Sequence, residues 1–493
     1  MIFWLLLLGI FTYFIVRRSV ANVTKTPVWL LWLVMMLPAF VWTGWAIFNP
    51  DDRQIPLLLL LLPFVFSSIT YLVLVQRGRI TRPTAQTDPP SAQLSAQTAP
   101  AANQPAIQAI SREEEAHLQN CFPWSVYYLQ NIEHKPQALI CKGQLRTSPD
   151  LAYKTIAENV KGYFADRFLV VFQEGLSGKP FFALVPNPQA KAVDNSAKQS
   201  AVTRPLLALG LLVATLLTTS LAGVLMANPS LDKPNLALLP SGLPYALALL
   251  AILGTHELGH YLAARHYRIQ ATLPYFIPVP PLLAFPFGTF GAFIQIRSHI
   301  PNRKALFDVG LAGPLSGFIM TLPILVWGLA HSTPVPLSGE SGLLNFESFK
   351  PTASLLLALL SKLSLGAGLG AETALRLHPV AIAGCLGLVI TALNLMPVGQ
   401  LDGGHIVHAM FGQRRGANIG QVARLLLLLL AWAVQYEFRF WAILLLFMPV
   451  YDEPALNDVS ELDNGRDVLG LLALAVLVMI ILPAPSTVTR FLF

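Results

Sequence analysis

Leu243-Pro-Tyr-Ala-Leu-Ala-Leu-Leu-Ala-Ile-Leu-Gly254 runs directly into Thr255-His256-Glu257-Leu258-Gly259-His260 and on into Tyr261-Leu-Ala-Ala264. Residues four apart share one face of a helix, so His256 and His260 can reach the same metal ion, with Glu257 beside them as a base for water. The run is long enough to cross a bilayer, and it carries the motif within it. An ionisable residue at membrane depth costs about 2.5–3.5 kcal/mol on insertion scales, so such residues usually serve a function. The alternative is a pair of histidines satisfied inside a helix bundle, with Glu257 paired to Arg265 or Arg268. The metal reading is preferred.

The rest of the chain fits a membrane setting. It has 493 residues, 54% hydrophobic and 12% charged, with a formal net charge of +7. Soluble domains carry about 25% charged residues. The excess of Lys and Arg reads as helix-end charge rather than a nucleic-acid footprint, because no basic patch is interleaved with aromatics. Cys121, Cys141 and Cys385 make no Cys-x-x-Cys and imply no disulfide framework. The fold class expected is a polytopic α-helical membrane protein of about 8–10 spans with a small inserted α+β soluble domain.

In chain order, residues 1–80 read as a three-span membrane region, with spans over 1–16, 28–48 and 56–75. The first is read as an anchor rather than a removed signal peptide, since no charged n-region or small-residue cleavage site is evident. Arg17, Arg18 and Lys25 fall on one side, Asp51, Asp52 and Arg53 on the other, and Arg77, Arg79 and Arg82 return to the first. The positive-inside rule then places the chain after Val75 in the cytoplasm. Residues 81–108, rich in Pro, Ala, Gln, Ser and Thr, form a flexible linker.

Residues 109–186 read as the soluble α+β domain. Glu113 opens a helix, Ser125–Leu129 and Ala138–Cys141 alternate as strands, and Pro149–Phe164 has helical spacing with Leu151, Ile156, Val160 and Tyr163 on one side. Phe168–Phe172 and Phe181–Val185 read as a closing strand pair. His134 reads as a surface residue, and no catalytic constellation is visible here. A second linker, 187–203, returns the chain to the membrane core, 204–412.

Within that core, spans are expected over 205–226, 243–265 and 305–330, and a further one from 379. Prolines 274, 278, 280, 281 and 286 rule out a spanning helix between the second and third of these, while Gly291–Arg297 alternates like a strand. A re-entrant hairpin beside the metal site fits, with an edge able to pair with an extended peptide; a surface loop packed on helices is the alternative. Gly310, Gly313, Ser316 and Gly317 allow close helix approach. His331 reads as a loop histidine, and 353–360 is too short to span. The last core span ends in Asn394-Leu-Met-Pro397-Val-Gly-Gln-Leu-Asp402-Gly403-Gly404, where the helix breaks. Arg414 and Arg415 follow as Arg265 and Arg268 follow the first motif, so Asp402 and the two histidines lie at similar depth on one side. Alone, Asp402 reads as a turn aspartate capping a helix; beside two histidines lacking a third ligand, it reads as that ligand. His405 and His408 are rivals, better read as satisfied polar groups or as partners of a ligand. The C-terminal helices, 413–493, include 421–450, which is either two helices or one broken one, then an acidic run over 451–467 read as a solvated loop, then a final span over 468–482.

With both motifs in place, the chain resembles the site-2 protease family of intramembrane zinc metalloproteases. The match is carried by His256-Glu257-Leu-Gly-His260 and Asn394-Leu-Met-Pro397-Val-Gly-Gln-Leu-Asp402-Gly403-Gly404, and extends over about Pro205–Gly412. The soluble domain and Gly288-Thr-Phe-Gly-Ala-Phe293 are most similar to the cyanobacterial and plastid branch, named for an ethylene-dependent gravitropism-deficient, yellow-green phenotype. The resemblance implies one catalytic Zn2+ on His256, His260 and Asp402, with Glu257 as general base and acid and Asn394 bonding substrate or a developing oxyanion. It implies membrane-spanning substrates that unwind locally, a lipid environment, and no nucleic-acid partner. The apolar N-terminus is unlike a transit peptide, which favours a bacterial or cyanobacterial chain in plasma or thylakoid membrane, the soluble domain and site opening facing the cytoplasm. A proteolytically silent scaffold or chaperone of the same fold is the alternative.

Overall fold

The structure is a computed structural model. It describes residues 26–48, scattered positions over 9–13 and 59–74, and 112–492 with breaks at 136–137, 176–177, 188–203, 229–235, 282–285, 338–341, 343–344, 367–368 and 371–372. The expected span over 1–16, most of that over 56–75, and the linkers lie outside the described residues. Contacts divide the chain into 1–102 and 103–493.

In the first unit, helix α1 (Val28–Phe48) is almost wholly apolar. The Ser67 hydroxyl donates to the Val34 carbonyl at 2.7 Å, and Trp42 Nε1 donates to Leu59 O at 3.1 Å.

The second unit begins with a layer of helix on sheet. Helix α2 (Arg112–Asn120) leads to the hairpin β1 (Tyr127–Lys135) and β2 (Ala138–Leu145). Helix α3 (Pro149–Phe164) then crosses to β3 (Phe168–Glu174) and β4 (Pro180–Pro186). The antiparallel order is β1-β2-β4-β3, which leaves β3 at an edge. The stripe that α3 buries is Ala152, Ile156, Val160 and Phe164. Ile156 and Val160 lie on it as expected, but its ends are Ala152 and Phe164 rather than Leu151 and Tyr163, which are 51% and 57% exposed. A strict four-residue repeat of smaller side chains packs against Phe172 and Phe182, whose rings stack at 4.0 Å.

The helical part follows. Helix α4 (Pro205–Ala227) precedes α5 (Leu239–His266), which starts four residues earlier than the apolar run and includes Pro244. A short hairpin, β5 (Tyr275–Pro278) and β6 (Thr289–Phe293), leads to α6 (Arg303–Ala330). Strand β7 (Thr333–Pro336) pairs with β8 (Thr373–Arg376) around α7 (Leu355–Leu365). Helix α8 (Pro379–Leu395), mostly buried, ends before α9 (Asp402–Phe411). Residues 413–446 form two helices, α10 (Gln413–Ala433) and α11 (Arg439–Leu446), joined by a 3-10 turn over Tyr436–Phe438. Helix α12 (Asn464–Ile481) and α13 (Ser486–Leu492) close the chain.

Six helices among the described residues are long and apolar enough to cross a membrane: α1, α4, α5, α6, α10 and α12. Helices α7 and α8 are apolar but shorter. The acidic stretch before α12 is solvated only in part: Glu453, Glu461 and Asp463 are exposed, but Asp452 and Asp458 are each 7% exposed, and Asn457 and Ser460 are buried with them.

Candidate metal centre

Helix α5 presents His256 and His260 on one face, as the four-residue spacing dictates, and their Nε2 atoms lie 3.2 Å apart. Asp402 reaches them from the first turn of α9. Its Oδ2 lies 3.6 Å from His256 Nε2 and 3.3 Å from His260 Nε2. The structure thus brings together three of the residues singled out in the sequence. No other group of this kind is found among the described residues.

The donor set fits zinc. Four donors set tetrahedrally at about 2.0–2.1 Å from an ion lie about 3.3–3.4 Å from one another. The three observed separations straddle that value. Two imidazole nitrogens 3.2 Å apart share one hydrogen if one ring carries it on Nε2, whereas a cation between them satisfies both lone pairs. The tautomer agrees: His260 Nδ1 lies 2.7 Å from the Val309 carbonyl, so it carries the hydrogen and leaves Nε2 free for a metal. Three protein ligands leave a fourth position open, as a catalytic zinc requires.

Helix α6 makes room for the rings. A methyl group on Gly313 would fall 2.0 Å from His260 Nε2, and one on Gly317 would fall 3.0 Å from His256 Nδ1. The two glycines are four apart on α6 just as the two histidines are on α5, and the helices run antiparallel. The sequence reading took these glycines as packing residues only; the matched spacing is the signal that tied them to the imidazoles. The Ser316 hydroxyl adds a hydrogen bond to Thr255 O at 2.8 Å.

Glu257 is buried, and the Ile294 backbone amide faces its carboxylate. Ile294 directly follows β6, so the end of the hairpin meets the residue expected to act as base. Asn394, at the end of α8, places Nδ2 3.0 Å from His256 Nε2. His405 and His408 do not join the trio: both turn to Asp452 at 2.8 Å. His331 stacks on Trp327 at 4.0 Å, and His134 is exposed near Glu115.

Residues 244–433 match the family model described as Peptidase family M50. The chain is 31% identical over 372 residues to "Probable zinc metalloprotease EGY2, chloroplastic" of Oryza sativa subsp. indica, covering 74% of this chain and 65% of that protein. It is 36% identical over 259 residues to "Probable zinc metalloprotease EGY1, chloroplastic" of Arabidopsis thaliana, covering 52% of this chain and 46% of that protein. A third relative, "Probable zinc metallopeptidase EGY3, chloroplastic" of Arabidopsis thaliana, is 24% identical over 381 residues, covering 72% of this chain and 62% of that protein. The chain therefore spans about half to two thirds of these curated relatives' own length. No solved structure matches. The stretch that holds His256, His260 and Asp402 is a peptidase family M50 domain, the domain of the site-2 proteases.

Proposed function

We propose that the protein is a zinc-dependent endopeptidase that cleaves membrane-spanning segments of other proteins. The observation that carries the reading is the convergence of His256, His260 and Asp402 to donor separations of 3.2–3.6 Å, on helices embedded in an apolar bundle. When bound there, zinc supplies Lewis acidity toward a peptide carbonyl and makes water acidic enough to be deprotonated near neutral pH. His256, His260 and Asp402 hold it, and the Val309 carbonyl fixes the His260 ring.

Glu257 accepts the proton of the attacking water and delivers it to the departing amide nitrogen. The Ile294 amide, at the end of the hairpin, faces that carboxylate. We assign Asn394, whose Nδ2 lies 3.0 Å from His256 Nε2, the role of bonding the substrate carbonyl as charge develops on it. Substrate reaches the site extended rather than helical, because a helical peptide bond is shielded by its own turn. Among the described residues the β5–β6 sheet has two strands, so an extended peptide can add to it as a further strand. Phe290 and Phe293 on β6 are exposed. A strand added there gains backbone hydrogen bonds beside Glu257.

We further propose that the site's opening and the α+β layer face the cytoplasm in a bacterial or cyanobacterial plasma or thylakoid membrane, a sidedness that the Lys and Arg distribution supports. The test is cleavage of candidate single-span substrates by the purified protein and its Glu257→Gln variant, with and without a zinc chelator. Cleavage that needs both Glu257 and zinc is expected. Equal cleavage by both proteins overturns the reading, and no cleavage by either favours a silent scaffold of the same fold.

A further inference from the structure

The segment between α11 and α12 joins two parts of the chain that the sequence separates widely. Residues 456–458 lie between two other strands. On one side, the Phe172 N–H donates to Leu456 O at 2.7 Å and the Asp458 N–H donates to Phe172 O at 2.9 Å, so the segment extends the α+β sheet at its β3 edge. On the other side, the Leu456 N–H donates to Ile300 O at 2.9 Å and the Asn457 N–H to Pro301 O at 3.0 Å, just before α6. Ser460 donates to Asp150 at the start of α3, Asn457 donates to Ser460, and Val459 packs against the α+β core.

The same segment grips the helix that carries Asp402. His408, 1% exposed, lies between two carboxylates: its Nδ1 is 2.8 Å from Asp452 Oδ2 and its Nε2 is 2.9 Å from Asp458 Oδ1. With an acceptor on each ring nitrogen, the imidazole must donate from both and is therefore cationic. His405, one turn after Asp402, places Nδ1 2.8 Å from the same Asp452 oxygen. Gln413 Nε2 donates to the Asp452 carbonyl at 2.8 Å. Helix α9 is closed on its other side by α6. Gly310 faces His405 Cβ and Asp402 O, and Arg303 Nε donates to Ala409 O at 2.7 Å.

We propose that residues 452–460 are a strap through which the α+β layer fixes the third ligand, with His408, clamped by Asp452 and Asp458, as the positioning residue for Asp402. The proposal rests on the metal reading of the trio. The ten-residue helix α9 begins at Asp402, and the preceding Leu401 gives its first turn no side-chain cap. A helix this short is marginal alone and takes its position from what it is packed against. His405 and His408 are the side chains by which it meets the strap. Loosening them lets the Asp402 carboxylate drift relative to two imidazoles that α5 and α6 hold fixed. A carboxylate free to wander binds the ion more weakly even though no ligand has been removed.

The experiment measures zinc affinity of the purified full chain by chelator competition, in wild type and in the variants His408→Gln, Asp458→Asn, Ser460→Ala and Asp402→Ala. Amide exchange over 402–411 is followed in parallel. His408→Gln and Asp458→Asn should raise the zinc Kd about tenfold or more, in the range seen when a ligand's supporting partner is lost. Ser460→Ala, which touches only the α+β end of the strap, should raise it a few-fold and speed exchange over 402–411. A merely structural role would lower thermal stability while leaving the zinc Kd of folded protein unchanged. Wild-type affinity in folded Asp458→Asn and Ser460→Ala would overturn the strap. If His408→Gln fails to fold, the other two variants decide. If wild type and Asp402→Ala bind zinc equally, it is the metal reading that fails.

Discussion

Gly313 faces His260 so closely that a single added carbon would lie 2.0 Å from the nitrogen aimed at the metal. No rotation of the ring relieves that contact, because Nδ1 is held by Val309 O. Gly313→Ala should therefore abolish tight zinc binding, raising the Kd at least about a hundredfold, at the upper end of what lost ligand support costs. Gly317→Ala, with its nearest contact at 3.0 Å, should have a much smaller effect. Chelator competition on the two variants checks the order.

Gly259, inside the His-Glu-x-x-His motif, plays a different part. A methyl group there would fall 2.3 Å from Ser316 Oγ and 2.4 Å from Ala312 O, so α5 and α6 touch backbone to backbone at this level. Gly259→Ala should push the helices apart and cost about 1–3 kcal/mol of overpacking. Thermal unfolding of the zinc-free protein should show a lower midpoint, whereas a midpoint equal to wild type would mean the contact yields without cost.

The distinction between those two glycines marks what the sequence could reveal. His256, Glu257 and His260 were legible because a helix converts a spacing of four into one face. Asp402 was legible because basic residues after each motif place both at one depth. The long helices were legible as apolar runs, although α5 starts earlier than its apolar run. Asp452 and Asp458 were not legible. An acidic run with prolines and asparagines reads as solvated, and His408, which lies between its two aspartates, is 44 and 50 residues away from them. The strand over 456–458 is too short for a period of two to show, and its partner Phe172 belongs to a sheet whose open edge no local pattern reveals. Ile156 and Val160 on α3 were legible, but the ends of that stripe were not, because apolar Leu151 and Tyr163 flank the buried Ala152 and Phe164.

The clamp on His408 makes stability depend on pH. Burial opposes the charge on this ring, but the bonds to Asp452 and Asp458 outweigh it and push its pKa up to about 9. A raised histidine pKa stabilises the folded state fully below about 6.5, and the gain is lost as pH climbs through about 9. Burial likewise opposes the Asp452 charge, yet His405 and His408 hold its pKa below the ordinary aspartate value. That contribution is present above about 3.9 and is lost as pH falls below it. The groups facing His408 are Asp452 and Asp458, with His405 sharing Asp452 and Arg303 near Asp458. The difference in unfolding midpoint between wild type and His408→Gln should thus be largest between about pH 4 and 6.5 and shrink towards pH 10. A difference that stays constant from pH 7 to 10 would show that the ring is not charged.

One zinc ion resting on His256, His260 and Asp402 would leave a definite signature in X-ray absorption at the zinc edge of the loaded protein. Expected are one zinc per chain, four-coordinate, with nitrogen and oxygen donors at about 2.0–2.1 Å, multiple scattering from two imidazoles, and an altered shell in Asp402→Ala. A sulfur donor at about 2.3 Å, or a spectrum that Asp402→Ala leaves unchanged, would contradict it.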